Sequence, residues 1–266
     1  MLFEGDQDEA AVNIYKTADL ASNPPPIASI HAAHGCPYGL AADKKGTIYV
    51  ADNCPSGSFL GDVEEFPKGS TTLKTTITSG ISDPLGIAID KSGTLYVTGY
   101  NPASISEYSA GATSPSKVVT GGGLVEPFGL VLDASGNLYI ADSGAGAIFE
   151  LPAGGSSVTN LGLQGLGEPI GLGIDLKTGY LWETGGSGNI VNVYRPGEST
   201  SPIETINGNG FPYALSLENK GKPNGEVVES DIETHFVYAF APGSYTPYAT
   251  LTNGVELPTG LLLTKP

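Results

Sequence analysis

Three glutamates interrupt strand phrases that are otherwise apolar in this 266-residue chain: Glu4 in LFEGD, Glu183 in LWETG and Glu229 in VVESD. Asp6 and Asp231 stand two residues beyond two of them, and Asp52, Asn53 and Asp142 close related phrases elsewhere. Hard oxygen donors converging from several strands suit Ca²⁺ or Mg²⁺. Crowded carboxylates also raise one another's proton affinity, as a general acid or base requires. Glu4, Glu183, Glu229 and Asp231 are therefore the candidate metal ligands, with His34 and His235 as candidate proton-transfer groups beside them. The competing reading is an acidic rim of solvated charges. No His-Glu-x-x-His spacing supports a zinc site, and no Gly-x-Ser-x-Gly elbow or phosphate loop is present.

What must position these groups is a repeat. PYGLAADKKGTIYVADN begins at Pro37, PLGIAIDKSGTLYVTGY at Pro84 and PFGLVLDASGNLYIADS at Pro127, and looser copies begin at Pro169, Pro212 and Pro258. A period of 42–47 residues built from short strands reads as a β-propeller with one four-stranded blade per repeat. The last copy is cut short, and the 36 residues before Pro37 supply what it lacks. LFEGD, AVNIYK and PPPIASIH read as second, third and fourth strands, and TGLLLT as the innermost strand of the same blade. The expected fold is all-β: a single six-bladed β-propeller of four-stranded antiparallel blades over residues 1–266. The blades fall at 37–83, 84–126, 127–168, 169–211, 212–257 and 258–266 plus 1–36, and this closure leaves no open sheet edge.

Within a blade, the Asp-x-x-Gly turns at Asp43, Asp90 and Asp133, with looser forms at Asp175 and Glu218, are turn chemistry rather than ligands. Aligning the second strands puts Trp182 and Phe3 in the apolar column of Val50, Val97 and Ile140. The three glutamates then stand level with Ala51, Thr98 and Ala141.

The turn at Asp43 also predicts a disulfide. Pairing Ala42 with Ile48 and stepping outward brings Cys36 opposite Cys54, within reach of a bridge. Such a bridge points to an oxidising compartment, so the expected location is extracellular or periplasmic. No secretory leader is recognised within the chain, which reads as a mature or trimmed form. A formal charge of −16 with only 12 basic residues speaks against nucleic acid. No run approaches the roughly 18 apolar residues of a membrane span. A monomer is expected.

The phrase P-x-G-[LI]-x-x-D-x-x-G-x-[LI]-Y-[VI]-A-D, clearest at Pro37 and Pro127, resembles the NHL-repeat family of six-bladed propellers. More loosely the chain is similar to the gluconolactonase-like and virginiamycin B lyase-like groups. The resemblance implies that the face bearing the ends of the second strands is the working surface, and that gluconolactonase-like enzymes hold a divalent cation there. This chain has DVEEF, SISEY and AIFEL where NHL repeats carry Asn-Arg-[Ile/Val], and only Gly188–Asn189–Ile190 matches. Two functions follow. One is a binding or scaffold module that holds a protein, small-molecule or carbohydrate ligand through an acidic channel face. The alternative is a divalent-metal-dependent lactone hydrolase or lyase.

Overall fold

The computed structural model describes residues 1–54, 60–185, 189–208, 210–217, 226–241, 244 and 246–264. Gly188 and Glu218 lie outside them. The described residues form six four-stranded antiparallel sheets arranged as the blades of a propeller. In blade 1 the strands run outward from the axis as Pro37–Ala42, Ile48–Asp52, Asp62–Phe66 and Thr75–Ile77. Blade 6 joins the two ends of the chain: Pro258–Leu263 is its innermost strand, paired with Leu2–Asp6, which leads on to Ala11–Tyr15 and Ala28–His31.

The turns behave as their residues dictate. The Asp43 carboxylate accepts the N–H groups of Lys45 (2.8 Å) and Thr47 (2.9 Å), and Asp90 and Asp133 repeat the pattern. Second strands are apolar on both faces because each blade is packed on both sides. Val63 and Ile77 of blade 1, for example, share one apolar cluster with Ile87, Leu95 and Val97 of blade 2.

Pro-x-Gly is the point where each innermost strand crowds the axis. Pro37 pairs with Asp52 and Leu40 with Val50, so the innermost strand carries one extra residue, and the same bulge recurs in every blade. The glycine allows neighbouring innermost strands to touch. A Cβ on Gly39 would sit 2.5 Å from the Leu85 carbonyl oxygen and 2.9 Å from the Ile87 nitrogen.

Cys36 and Cys54 form the expected disulfide, with Cα atoms 5.3 Å apart. The bulge moves its register by one: the Asn53 N–H donates to the Cys36 carbonyl at 2.9 Å, so the bridge is staggered rather than directly opposed. It closes a loop of 18 residues of sequence separation. By loop-closure entropy this is worth about 3 kcal/mol. A Cys36→Ser/Cys54→Ser double variant should melt about 6–12 °C lower by calorimetry. An unchanged melting temperature would show that backbone bonding alone holds the loop.

Candidate functional site

The structure moves the three glutamates one step along their strands. In blade 4 the turn is longer: the Asp175 N–H bonds the Tyr180 carbonyl, five residues on, whereas Asp133 bonds Asn137, four residues on. Trp182 therefore stands level with Tyr139, and Glu183 with Ile140, each pairing with the matching position of its third strand. A one-residue step turns a side chain to the other face of the sheet. Glu4, Glu183 and Glu229 consequently replace the aliphatic residues that pack against the preceding blade, and all three are buried. Trp182 is core, against Val193, Leu215 and Val227.

Two of these glutamates belong to one repeated device. Asn192 Nδ2 donates to Glu183 Oε2 (3.0 Å) and to the Gly165 carbonyl (3.2 Å) in the connection from blade 3, while Thr205 Oγ1 donates to Asn192 Oδ1. Asn13 Nδ2 likewise donates to Glu4 Oε2 (3.3 Å) and to the Gly254 carbonyl (2.9 Å), and Ser29 Oγ donates to Asn13 Oδ1. Each network ties a blade to the connection that precedes it. Burial pushes the Glu183 carboxyl up to about 7, with Asn192 opposing. Burial, with Asp231 adding, pushes Glu229 up to about 8. Burial holds Glu4 well above the usual carboxylate range. The three lie on different blades, and among the described residues no cluster of three ligand groups includes any of them.

The aspartate that ends most second strands is a loop clamp. Asp52 accepts the N–H groups of His34 (2.8 Å), Gly35 (3.2 Å) and Cys36 (2.9 Å). Asp142 does the same for Val125 and Glu126, Asp6 for Glu256 and Leu257, and Asp231 holds Glu233 and Thr234. His235, offered as a proton-transfer group, is exposed in the turn before Phe236–Phe240, with a left-handed φ of 61°.

One cluster does assemble, in blade 1. Asp52 and Asp62 oppose each other where the second strand ends and the third begins, Glu64 follows two residues along, and His34 reaches over from the blade 6 connection. His34 Nδ1 stands 3.7 Å from Asp52 Oδ2 and 3.5 Å from Asp62 Oδ2. Glu64 Oε1 accepts the Ala33 N–H at 2.8 Å. One ligand atom from each of the four residues lies within 4.8 Å of the others. The carboxylates are buried, whereas the His34 side chain is 42 % exposed. Asp62 Oδ1 and Glu64 Oε2 are buried without a hydrogen-bond partner among the described residues. Burial, then the charge of Asp52, pushes Asp62 up to about 6 against the pull of His34. Burial likewise pushes Glu64 up to about 7, with Asp52 and Asp62 adding to it and the Ala33 N–H opposing.

Asp62 and Glu64 are not among the acids that the strand phrases single out, yet the chain carries a signal for them. At their strand positions the other blades have Ser104, Ala147, Ile190, Phe236 or Ala11, and Ser106, Phe149, Asn192, Tyr238 or Asn13. DVEEF also stands where the other blades carry SISEY, AIFEL or IVNVY. Its acids meet His34 once the third strand pairs with the second and Asp52 holds the incoming connection.

The same face carries aromatic residues at the channel mouth. The x of Pro-x-Gly is Tyr38, Phe128 or Tyr213 in blades 1, 3 and 5, alternating with Leu85, Ile170 and Thr259. Phe128 and Tyr213 meet edge to face at 5.9 Å, Tyr38 and Tyr213 lie 6.5 Å apart, and Tyr100 and Phe211 extend the group at 6.1 and 6.3 Å. Burial raises the Tyr213 hydroxyl well above its ordinary value. The cavity behind these rings is about 90 Å³. That holds a few waters and falls well short of an ordinary ligand pocket. The aromatics therefore present a surface.

Charge is segregated between the two faces. None of the 12 Lys and Arg residues falls in the segments joining second to third strands, or one blade to the next. Those segments carry exposed Asp8, Glu9, Glu168, Glu233 and Glu256. Lys44, Lys45, Lys91, Lys177 and Arg195 sit in turns at the opposite ends of the strands.

Among solved structures, a chain in the crystal structure of a nidogen/laminin complex superposes with a TM-score of 0.80 over 98 % of this chain and 96 % of that chain. The two are 20 % identical in sequence. The likeness is one of fold. No protein-family model matches the chain, and no curated protein matches it.

Proposed function

We propose that this chain is a secreted, NHL-like β-propeller binding module that docks a protein partner with a basic surface on its channel-mouth face. The one-sided placement of the basic residues carries the reading: every connection on that face lacks Lys and Arg, while exposed carboxylates stand in the connections of blades 4 to 6. Aromatic side chains such as Tyr100, Phe128 and Tyr213 supply large, rigid contact area in its centre. Complementary charge gives fast, specific encounter with a cationic partner. The disulfide supports an extracellular setting, and the similar propeller was solved within a nidogen/laminin complex.

An immobilised Lys/Arg-rich peptide, read by surface plasmon resonance at low salt, tests the face. Glu168→Lys/Glu256→Lys should weaken binding about tenfold, and Asp19→Lys/Glu204→Lys on the other side should change it less than about twofold. Equal losses from the two pairs would overturn the reading.

A further inference from the structure

We propose that His34, Asp52, Asp62 and Glu64 form a binding site for a divalent first-row transition cation, Zn²⁺ or Mn²⁺. Four donors, one imidazole nitrogen and three carboxylates, already lie within 4.8 Å of one another. A tetrahedral ion with bonds of about 2.0–2.2 Å sets its donors about 3.4 Å apart, so the side chains would draw in by about an ångström on binding. The acids are no ordinary surface cluster. Asp62 is 1 % exposed and Glu64 0 %, yet Asp62 Oδ1 and Glu64 Oε2 accept no hydrogen bond among the described residues. Buried carboxylate oxygens left unpaired are costly. No Lys or Arg on this face can relieve them. Asn53 Oδ1, beside Asp52, is a further buried oxygen without a partner.

The comparison between blades separates structural duty from this arrangement. Asp52 clamps the incoming connection as Asp6 and Asp142 do, so one acid is enough for that task. Asp62 and Glu64 are additions found together in blade 1 alone among the strand positions they occupy. The half-exposed His34 leaves a way in for the ion.

Donor chemistry selects the metal. Ca²⁺ takes six to eight hard oxygens and Mg²⁺ keeps its waters. Imidazole together with carboxylate suits Zn²⁺ and Mn²⁺, with Zn²⁺ the tighter of the two. The bound ion would tie the blade 6 connection to the blade 1 hairpin next to the Cys36–Cys54 bridge. This site is independent of the partner-binding reading, and neither result decides the other.

The test uses the whole chain stripped with chelator, then incubated separately with Zn²⁺, Mn²⁺ and Ca²⁺, desalted, and measured for bound metal and melting temperature. Expected is a single Zn²⁺ or Mn²⁺ per chain after desalting, and a melting temperature raised by about 5–10 °C when free metal is restored to a hundredfold excess over Kd. Asp62→Asn and Glu64→Gln should abolish both effects, while their chelated forms melt no lower than the chelated parent. His34→Ala, at an exposed side chain, should weaken uptake about tenfold or more and keeps the test open if a buried variant fails to fold. No retained Zn²⁺ or Mn²⁺, or uptake unchanged in Glu64→Gln and His34→Ala, overturns the proposal.

Discussion

Gly39→Ala should melt about 6–12 °C below the parent chain, a loss of about 3 kcal/mol. The added methyl group meets no flexible side chain that could swing aside. It meets the Leu85 carbonyl oxygen at 2.5 Å, the Ile87 nitrogen at 2.9 Å and the Gly86 Cα at 3.1 Å, all backbone of the next blade. Relief requires moving one blade against another, and a closed ring passes that movement on to the remaining seams. Gly86, Gly129, Gly171 and Gly260 make the same approach to their neighbours. The blade 5 copy reads Pro-Tyr-Ala instead, with Ala214 in the glycine position. Ala214→Gly is the matched control and should cost about 1 kcal/mol or less. Thermal unfolding of the two variants decides the matter: a Gly39→Ala chain as stable as Ala214→Gly would refute the close-packed axis.

Glu229→Val should do the opposite and stabilise the chain, by an amount that grows with pH. Its neighbours in the column are Val50, Val97 and Ile140, so an aliphatic side chain suits the site. Burial lifts the Glu229 carboxyl from 4.5 to about 8. Between those values the native state keeps a proton that the unfolded chain has released, so stability falls as pH rises through the window. The displacement corresponds to on the order of 4–5 kcal/mol once the group is fully ionised. Glu183, lifted to about 7, adds a smaller loss of the same sign. The parent chain should therefore be more stable to denaturant at pH 5 than at pH 9. Glu229→Val should remove much of that slope, gaining about 2–4 kcal/mol at pH 9 and far less at pH 5. A gain equal at both pH values, or destabilisation at pH 9, would contradict a carboxyl held protonated by burial.

The architecture was legible because its signals are local and repeated. Each Asp-x-x-Gly turn sets one hairpin, each Pro-x-Gly one bulge, and six copies leave little freedom in how they assemble. The disulfide was legible for the same reason: a short turn fixes the register on both sides, and the bulge disturbs it by one residue only. The glutamates show the limit of such counting. One extra residue in the Asp175 turn moves Glu183 from one face of its strand to the other, and ligands expected at the channel become parts of the seams between blades. His34 stands in the connection into blade 1 and Asp62 and Glu64 on its third strand, so they meet only when that strand pairs beside the second, a pairing that no short turn phrase fixes. The aromatic mouth was written in alternate copies of the Pro-x-[Gly/Ala] phrase, at Tyr38, Phe128 and Tyr213. Its meaning depends on six positions converging on one axis, which a single repeat does not reveal.

Blade 6 pairs Leu2–Asp6 with Pro258–Leu263, residues about as far apart as this chain permits. During synthesis the first three strands of that blade precede their partner by five blades, with the backbone of Leu2–Asp6 as an unpaired border. The closing strand completes both the sheet and the ring, so assembly ends in one long-range zipping step that local contacts cannot hasten. At high concentration another copy offers an identical strand to the same border. Refolding under crowded conditions should therefore yield exchanged dimers, each chain lending its final strand to the other, as the characteristic misassembly of this propeller.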